Sequence, residues 1–310
     1  MGRHFFFALL SMVFLGCGET SDSEQMPAEA VVPVEEMESS GIFADYFDDG
    51  GYILRNSHAM VIRNIQFFGT EESGVAEGFD LDEKNSDAFD EVSCGHPDLS
   101  DGQGNEGIDN QVAVIWTALL GPLVGEATHA LINGAVNEGR LLMTIELTGV
   151  DDLQNDDNVS LKFFRAKADP YVGTFGLIAP DQTYYVDDEI PATTIDNLQI
   201  VNGEVTAGPV EFQIPIDVLA EFFIVKVTNG QLKFKIAEDG SATGYLGGVI
   251  NVADVLAEGY QTNAAAEFRV VTPFFLDNTD MMPNDEGGCD GISMAIRISA
   301  TTGFIVHYDD

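Results

Sequence analysis

The chain has 310 residues of which 45% are hydrophobic, enough to bury one large core or two modest ones. Its 52 Asp and Glu against 13 Lys and Arg give a net charge of -39, which excludes the clustered basic footprint that nucleic acid or an anionic membrane surface requires and favours cations. The acids are interleaved with Val, Ile, Leu and Phe, so the chain is expected to fold, with an acidic surface kept soluble by self-repulsion.

Residues 1–17 open with a short basic start, continue as an apolar run bounded by Phe5 and Leu15, and end Leu15-Gly16-Cys17. The run is too short to span a bilayer and has the layout of an export signal. Its end resembles the lipobox of bacterial lipoproteins, although Phe14 stands where Leu is usual. That resemblance implies cleavage before Cys17, a lipid on its thiol (diacylglyceryl, of the palmitate type), and a mature chain tied to the membrane through its N-terminus. An exported chain meets an oxidising compartment. Residues 18–50 then turn to Glu, Ser, Asp, Pro and Met, with no Lys or Arg before 50, and read as an acidic flexible tether.

Residues 51–310 read as a single, mostly β domain. The segment 52–68, rich in Ile, Val and Phe, is strand material. In Gly78-Phe79-Asp80-Leu81-Asp82 the two carboxylates are two apart, so an extended backbone turns both to one side and Phe79 and Leu81 to the other. Residues 94–111 follow, packing Cys94, His96, Asp98, Asp101, Asn105, Asp109 and four glycines into one turned loop between apolar segments. Asp109 or Asn110 can cap a helix over 112–120, Gly121-Pro122 interrupts it, and a second helix is expected over 126–138. Trp116 and His129 fit a core or interface better than a ligand set.

Strands dominate from Leu141 onward. Met143, Ile145 and Leu147 alternate with Thr144 and Glu146, an acidic turn covers 151–157, and 159–166 is the antiparallel return. Val210, Phe212, Ile214 and Ile216 alternate again, Asn229-Gly230 carries the strongest hairpin signal, Asn251 can cap a short helix, and 292–298 and 304–308 are late strands. The fold class expected is mainly β: an antiparallel, sandwich-like body with a few short helices covering one face or end. The Gly78 to Asp82 segment, the loop ending Gly-Ile-Asp-Asn-Gln, the 141–157 strand and turn, 244–250 and Cys289-Asp290-Gly291-Ile292-Ser293 resemble segments of predicted lipoproteins of myxobacteria and their relatives. That resemblance implies no activity and no site residue.

Chemistry follows from the loops. Calcium wants six to eight oxygens, and Asp80, Asp82, Asp101, Asn105 and Asp109 can supply them on glycine-permitted turns. The spacing is not that of an EF-hand, because Glu106 replaces the turn glycine and Val112 the bidentate Glu. The competing reading is a solvated acidic turn closed by Asx hydrogen bonds. A zinc or Cys-His enzyme lacks ligands, a phosphate loop at 240–248 lacks its Lys, and no nucleophile elbow is present. With Cys17 lipidated, Cys94 and Cys289 are the two cysteines left and are expected to form a disulfide, the alternative being two buried reduced thiols. Tyr184, Tyr185, Asp187 and Asp188 suggest a sugar-stacking platform. The function expected is a membrane-anchored extracytoplasmic lipoprotein of the cell envelope with a non-catalytic binding or structural role, stabilised by calcium, taking a carbohydrate or protein ligand. The alternative is an extracytoplasmic hydrolase with a carboxylate-based site acting, for example, on carbohydrate.

Overall fold

The computed structural model describes residues 44–47, 50–70, 74–119, 121–218 and 221–308. The signal, Cys17 and most of the expected tether lie outside them. Fourteen strands and four helices occur among the described residues. The strands are β1 Ala44–Tyr46, β2 Gly51–Leu54, β3 Ser57–Phe67, β4 Leu99–Ser100, β5 Glu106–Ile108, β6 Met143–Thr148, β7 Asn155–Lys167, β8 Gln182–Val186, β9 Thr193–Val201, β10 Glu204–Val218, β11 Glu221–Ile236, β12 Ala242–Asn251, β13 Met281–Pro283 and β14 Cys289–Tyr308. The helices are α1 Gln111–Leu119, α2 Gly121–Asn137, α3 Val252–Gly259 and α4 Ala265–Leu276. All belong to one compact unit, Gly41–Asp310, whose first strand starts before residue 51, inside the segment read as tether.

The mainly antiparallel β fold with few helices holds, and its layers come from one sheet that closes on itself. Neighbours run β14-β12-β11-β10-β9-β7-β6-β3, and β14 also pairs with β3, so Ile296 faces Leu246 on one side and Phe67 on the other. Closure removes the exposed edges that an open sheet would leave among these eight strands. Alternation fills the ring: Met60, Ile145, Leu161, Phe234, Leu246 and Ile298 are buried in one continuous cluster, with Phe163 set edge-on to Phe212 at 5.4 Å.

The opposite face of β6 is buried as well, with Thr144 at 0% and Glu146 at 1% exposure. The C-terminal half of β14 explains this. It leaves β12, pairs in parallel with β8, and β8 pairs with the end of β7, closing a second, smaller ring through β14, β3, β6, β7 and β8. Inside it Tyr184 lies across Gly303, where a Cβ would meet its ring at 2.8 Å, and His307 Nε2 lies 3.0 Å from Glu146 Oε1.

Two local expectations change. Asn229-Gly230 makes no hairpin: β11 runs through it, with a bulge against β12 between Thr228 and Gln231, and a Cβ on Gly230 would strike the Phe212 ring at 2.2 Å. The tight turn falls instead at Asn202-Gly203, both left-handed (φ 52° and 77°), joining β9 to β10. Pro122 does not end a helix, because it occupies the first turn of α2, where its missing N–H is not needed. Trp116 is half-buried and stacks between Phe67 at 4.7 Å and His129 at 4.9 Å, and His129 accepts from the Phe67 N–H.

Candidate functional site

Residues 74–110 leave β3 and return to α1 as a lobe with little regular structure. The two-stranded β4–β5 ladder and two isolated bridges, Val75 with Ser100 and Phe79 with Asp109, are its backbone frame. So short a frame cannot hold itself, and side chains fasten it to the barrel. Phe79 and Leu81 are buried with Val249, Met281 and Ala295, and Phe79 lies so near Gly247 that a Cβ there would sit 2.7 Å from its ring. The Asn229 amide, exposed to this lobe by the bulge in β11, donates to Leu81 O at 2.5 Å. Asn110 accepts from Ala295 N at 3.1 Å and donates to Glu77 O at 2.7 Å, and it also caps α1 by accepting from Ala113 N. Ser293 Oγ accepts from Gln111 N and bonds the Asp280 carboxylate.

Cys94 and Cys289 are disulfide-bonded, with Cα atoms 5.9 Å apart, which removes both thiols from any zinc or nucleophile role. His96 contacts Gln111 Nε2 through Nδ1 at 3.0 Å, and burial pulls its pKa below the usual imidazole value.

The alternation read from the sequence places the carboxylates as expected: Phe79 and Leu81 face the barrel while Asp80 and Asp82 turn away from it. Asp80, Asp82 and Asp109 bring one oxygen each within 4.8 Å of one another. The Lys84 N–H is shared by Asp80 at 3.2 Å and Asp82 at 3.0 Å, and Leu81 N donates to Asp109 at 2.6 Å. Asp109 is 3% exposed, and burial, joined by the charges of Asp98, Asp82 and Asp280, pushes its carboxyl up to about 8. Asp98 is hydrogen-bonded to Asp109, holds Ser86 N at 2.7 Å, and is raised by burial and by Asp82 and Asp80. Burial likewise brings Asp280 up to about 6. Among the described residues no ion pair reaches any of these five acids.

Asp101 and Asn105 stand apart from this group. Asp101 accepts from Gln103 N and Asn105 N at 2.8 Å and from Asn105 Nδ2 at 2.6 Å, a closed Asx turn that holds its pKa below the usual carboxylate range. Asp98 takes their place beside Asp109. Nothing in its spacing marked it out, because it is brought in by the fold of the 86–98 turn onto itself.

A calcium ion with ligands at about 2.3–2.6 Å has oxygens up to about 5 Å apart around it, so the three clustered carboxylates fit part of its shell. The donor set is all oxygen, which suits calcium and not zinc.

The tyrosine and acid segment departs from the platform expected. Tyr184 and Asp187 are both 0% exposed; Asp187 is held by Lys167 at 2.7 Å and Arg165 at 3.4 Å, so neither residue can meet a sugar. The shallow concavities bounded by residues 151–157 and 197–206, the second also by Lys235, contain none of the clustered acids. No protein-family model, curated protein or solved structure matches this chain.

Proposed function

We propose that the chain is a membrane-anchored extracytoplasmic lipoprotein with a non-catalytic binding or structural role, in which calcium holds the lobe of residues 74–110 together by tying the Asp80–Asp82 segment to Asp109. The observation that carries this reading is the convergence of three carboxylates within 4.8 Å, none of them in an ion pair with Lys or Arg among the described residues. With no cation the crowding is relieved by the proton that Asp109 keeps up to about 8, and a hard cation bound by all three would take that proton's place. The Cys94–Cys289 disulfide supports an oxidising compartment, in keeping with the signal that ends at Cys17.

The hydrolase reading is the weaker one. A carboxyl held up to about 8 resembles a general acid, but Asp109 at 3% exposure offers no substrate access. Calcium titration with thermal melting tests the proposal. An ion that binds only the folded state stabilises it by about 2.7 kcal/mol at a hundred times its dissociation constant, so the melting temperature should climb with calcium and less with magnesium. Identical melting curves in chelator and in calcium defeat it. The anchor is tested separately: Cys17→Ser should move the protein from the detergent phase to the soluble fraction, and a variant that still partitions with the wild type refutes lipidation.

A further inference from the structure

The link between β7 and β8 carries an apolar tip that neither the core nor the acidic lobe uses. Residues 170–180 read Pro-Tyr-Val-Gly-Thr-Phe-Gly-Leu-Ile-Ala-Pro, eleven in a row without a charge in a chain that has 52 acids, and Asp169 and Asp181 close the run at its two ends. Ile178 is buried beneath the link, but Phe175 at its tip is 95% exposed and Tyr171 70%. The link is nonetheless tightly built. Gly173 N donates to Leu177 O and Gly176 N to Gly173 O, with Gly176 at a left-handed φ of 72°, so the tip is a closed turn. Below the turn Val172 bridges Ile178, Ala179 N donates to Tyr171 O, and the Gln182 amide accepts from Tyr171 N at 2.6 Å while donating to Tyr171 O and Ala179 O. Asn137 of α2 donates to Gly176 O at 2.8 Å, and Asp181, bonded to Thr302 through backbone and side chain, ties the end of the link to β14.

We propose that this link is a lipid-contacting loop, in which Phe175 enters the acyl boundary of an uncharged bilayer surface and Tyr171 stands at headgroup level. Hydrocarbon offers no hydrogen bonds, so a segment that enters it must bring its backbone groups already paired, as the turn, the bridge and the Gln182 amide do here. Hydrocarbon also penalises charge, and residues 170–180 have none to bury. Aromatic rings suit the boundary between acyl chains and headgroups, tyrosine above all because one end of its ring is polar. Area decides against a protein occupant: the two rings present roughly 300 Å², against about 800 Å² on each side of a stable protein interface. Charge selects the lipid, since a chain at -39 is repelled by anionic headgroups. The loop rests on the reading of the chain as membrane-anchored, adding a second point of contact that orients the body on the surface, and is independent of the calcium lobe.

The test uses the full chain reconstituted with phosphatidylcholine vesicles. Phe175→Trp puts a second indole at the tip, where its emission should shift to the blue and be quenched by phosphatidylcholine brominated in the acyl chains. The wild type, which reports Trp116 alone, should show neither change. Phe175→Ala should speed transfer of the chain from one vesicle population to another about tenfold to a hundredfold, the loss expected when one large side chain no longer leaves water, and Phe175→Leu should restore most of it. Melting should be the same in all three variants and the wild type, because so exposed a side chain supports no packing. A wild type that floats with the vesicles while Phe175→Trp is neither shifted nor quenched overturns the loop and leaves the anchor standing. A wild type that does not float defeats the anchor and the loop together. A dimer of the wild type that Phe175→Ala abolishes overturns the proposal in favour of self-association.

Discussion

The barrel and the lobe of residues 74–110 are held together by different physics. The barrel is long antiparallel strands whose apolar faces interdigitate, so each residue is supported by its neighbours across two ladders. The lobe has one two-stranded ladder and depends on point fasteners: a disulfide, the amides of Asn110 and Asn229, and the Phe79 and Leu81 anchors. Local stability follows such differences, so the lobe is the part expected to open first and the part that an ion or a redox change can control.

The comparison is broken most forcefully from the barrel side. Phe234, 1% exposed, lies at the centre of the main cluster, and Phe234→Ala should cost about 3–5 kcal/mol. Barrel and lobe should then unfold together, seen as one transition in both circular dichroism and the fluorescence of Trp116, the chain's single tryptophan. A variant that loses lobe protection while keeping barrel melting intact contradicts the assignment of the core.

Removing the disulfide should do the reverse. Cys94→Ser with Cys289→Ser reopens a loop with a separation of 195 residues, for which the usual loss is about 2–4 kcal/mol. Because the bridge fastens the lobe, hydrogen exchange should rise over residues 74–110 well before it rises in β6 or β11. Uniform loss of protection, lobe and barrel alike, removes the distinction between the two regions.

The pH dependence tests the acidic cluster itself. Asp109, at about 8, and Asp280, at about 6, keep their protons in the folded state across a range where the unfolded chain has lost them. The folded state therefore binds more protons, and their contribution to stability is full below the normal carboxylate range and lost as pH rises through about 6 and about 8. In chelator the melting temperature should fall between pH 5 and pH 8.5. Asp109→Asn, which keeps an acceptor for Leu81 N, should flatten that slope. An unchanged slope in the variant assigns the dependence to other groups.

Local pattern carried much of this protein. Period-two alternation identified the strands at 141–148 and 210–216. The capping residues Asn110 and Asn251 marked the starts of α1 and α3, and Asn251 accepts from Asp254 N as a cap should. Asp80 and Asp82 share a side because they are two apart on extended chain, and the two late cysteines were paired from their number alone. The cysteine pairing apart, these are near-neighbour properties, decided by sterics, hydrogen bonding and chain chemistry within a few residues.

What the sequence could not decide is what lies across from what. Three Asn-Gly pairs carry the same local preference, yet Asn202-Gly203 turns, Asn133-Gly134 lies within α2 and Asn229-Gly230 stays in a strand. There β12 pairs on both sides of the pair, Phe212 fills the space above Gly230, and Leu81 takes the Asn229 amide. α4 was missed altogether: it has no side-chain cap and contains Pro273, so packing such as Phe268 against Phe223 has to hold it. Ring closure by β14, the arrival of Asp98 rather than Asp101 beside Asp109, and the outward turn of Tyr185 above a buried Tyr184 all depend on contacts distant in sequence. Local preferences amount to about 1 kcal/mol or less per residue, whereas burying one large side chain contributes about 1.5–3 kcal/mol, so where the two compete the tertiary contact wins.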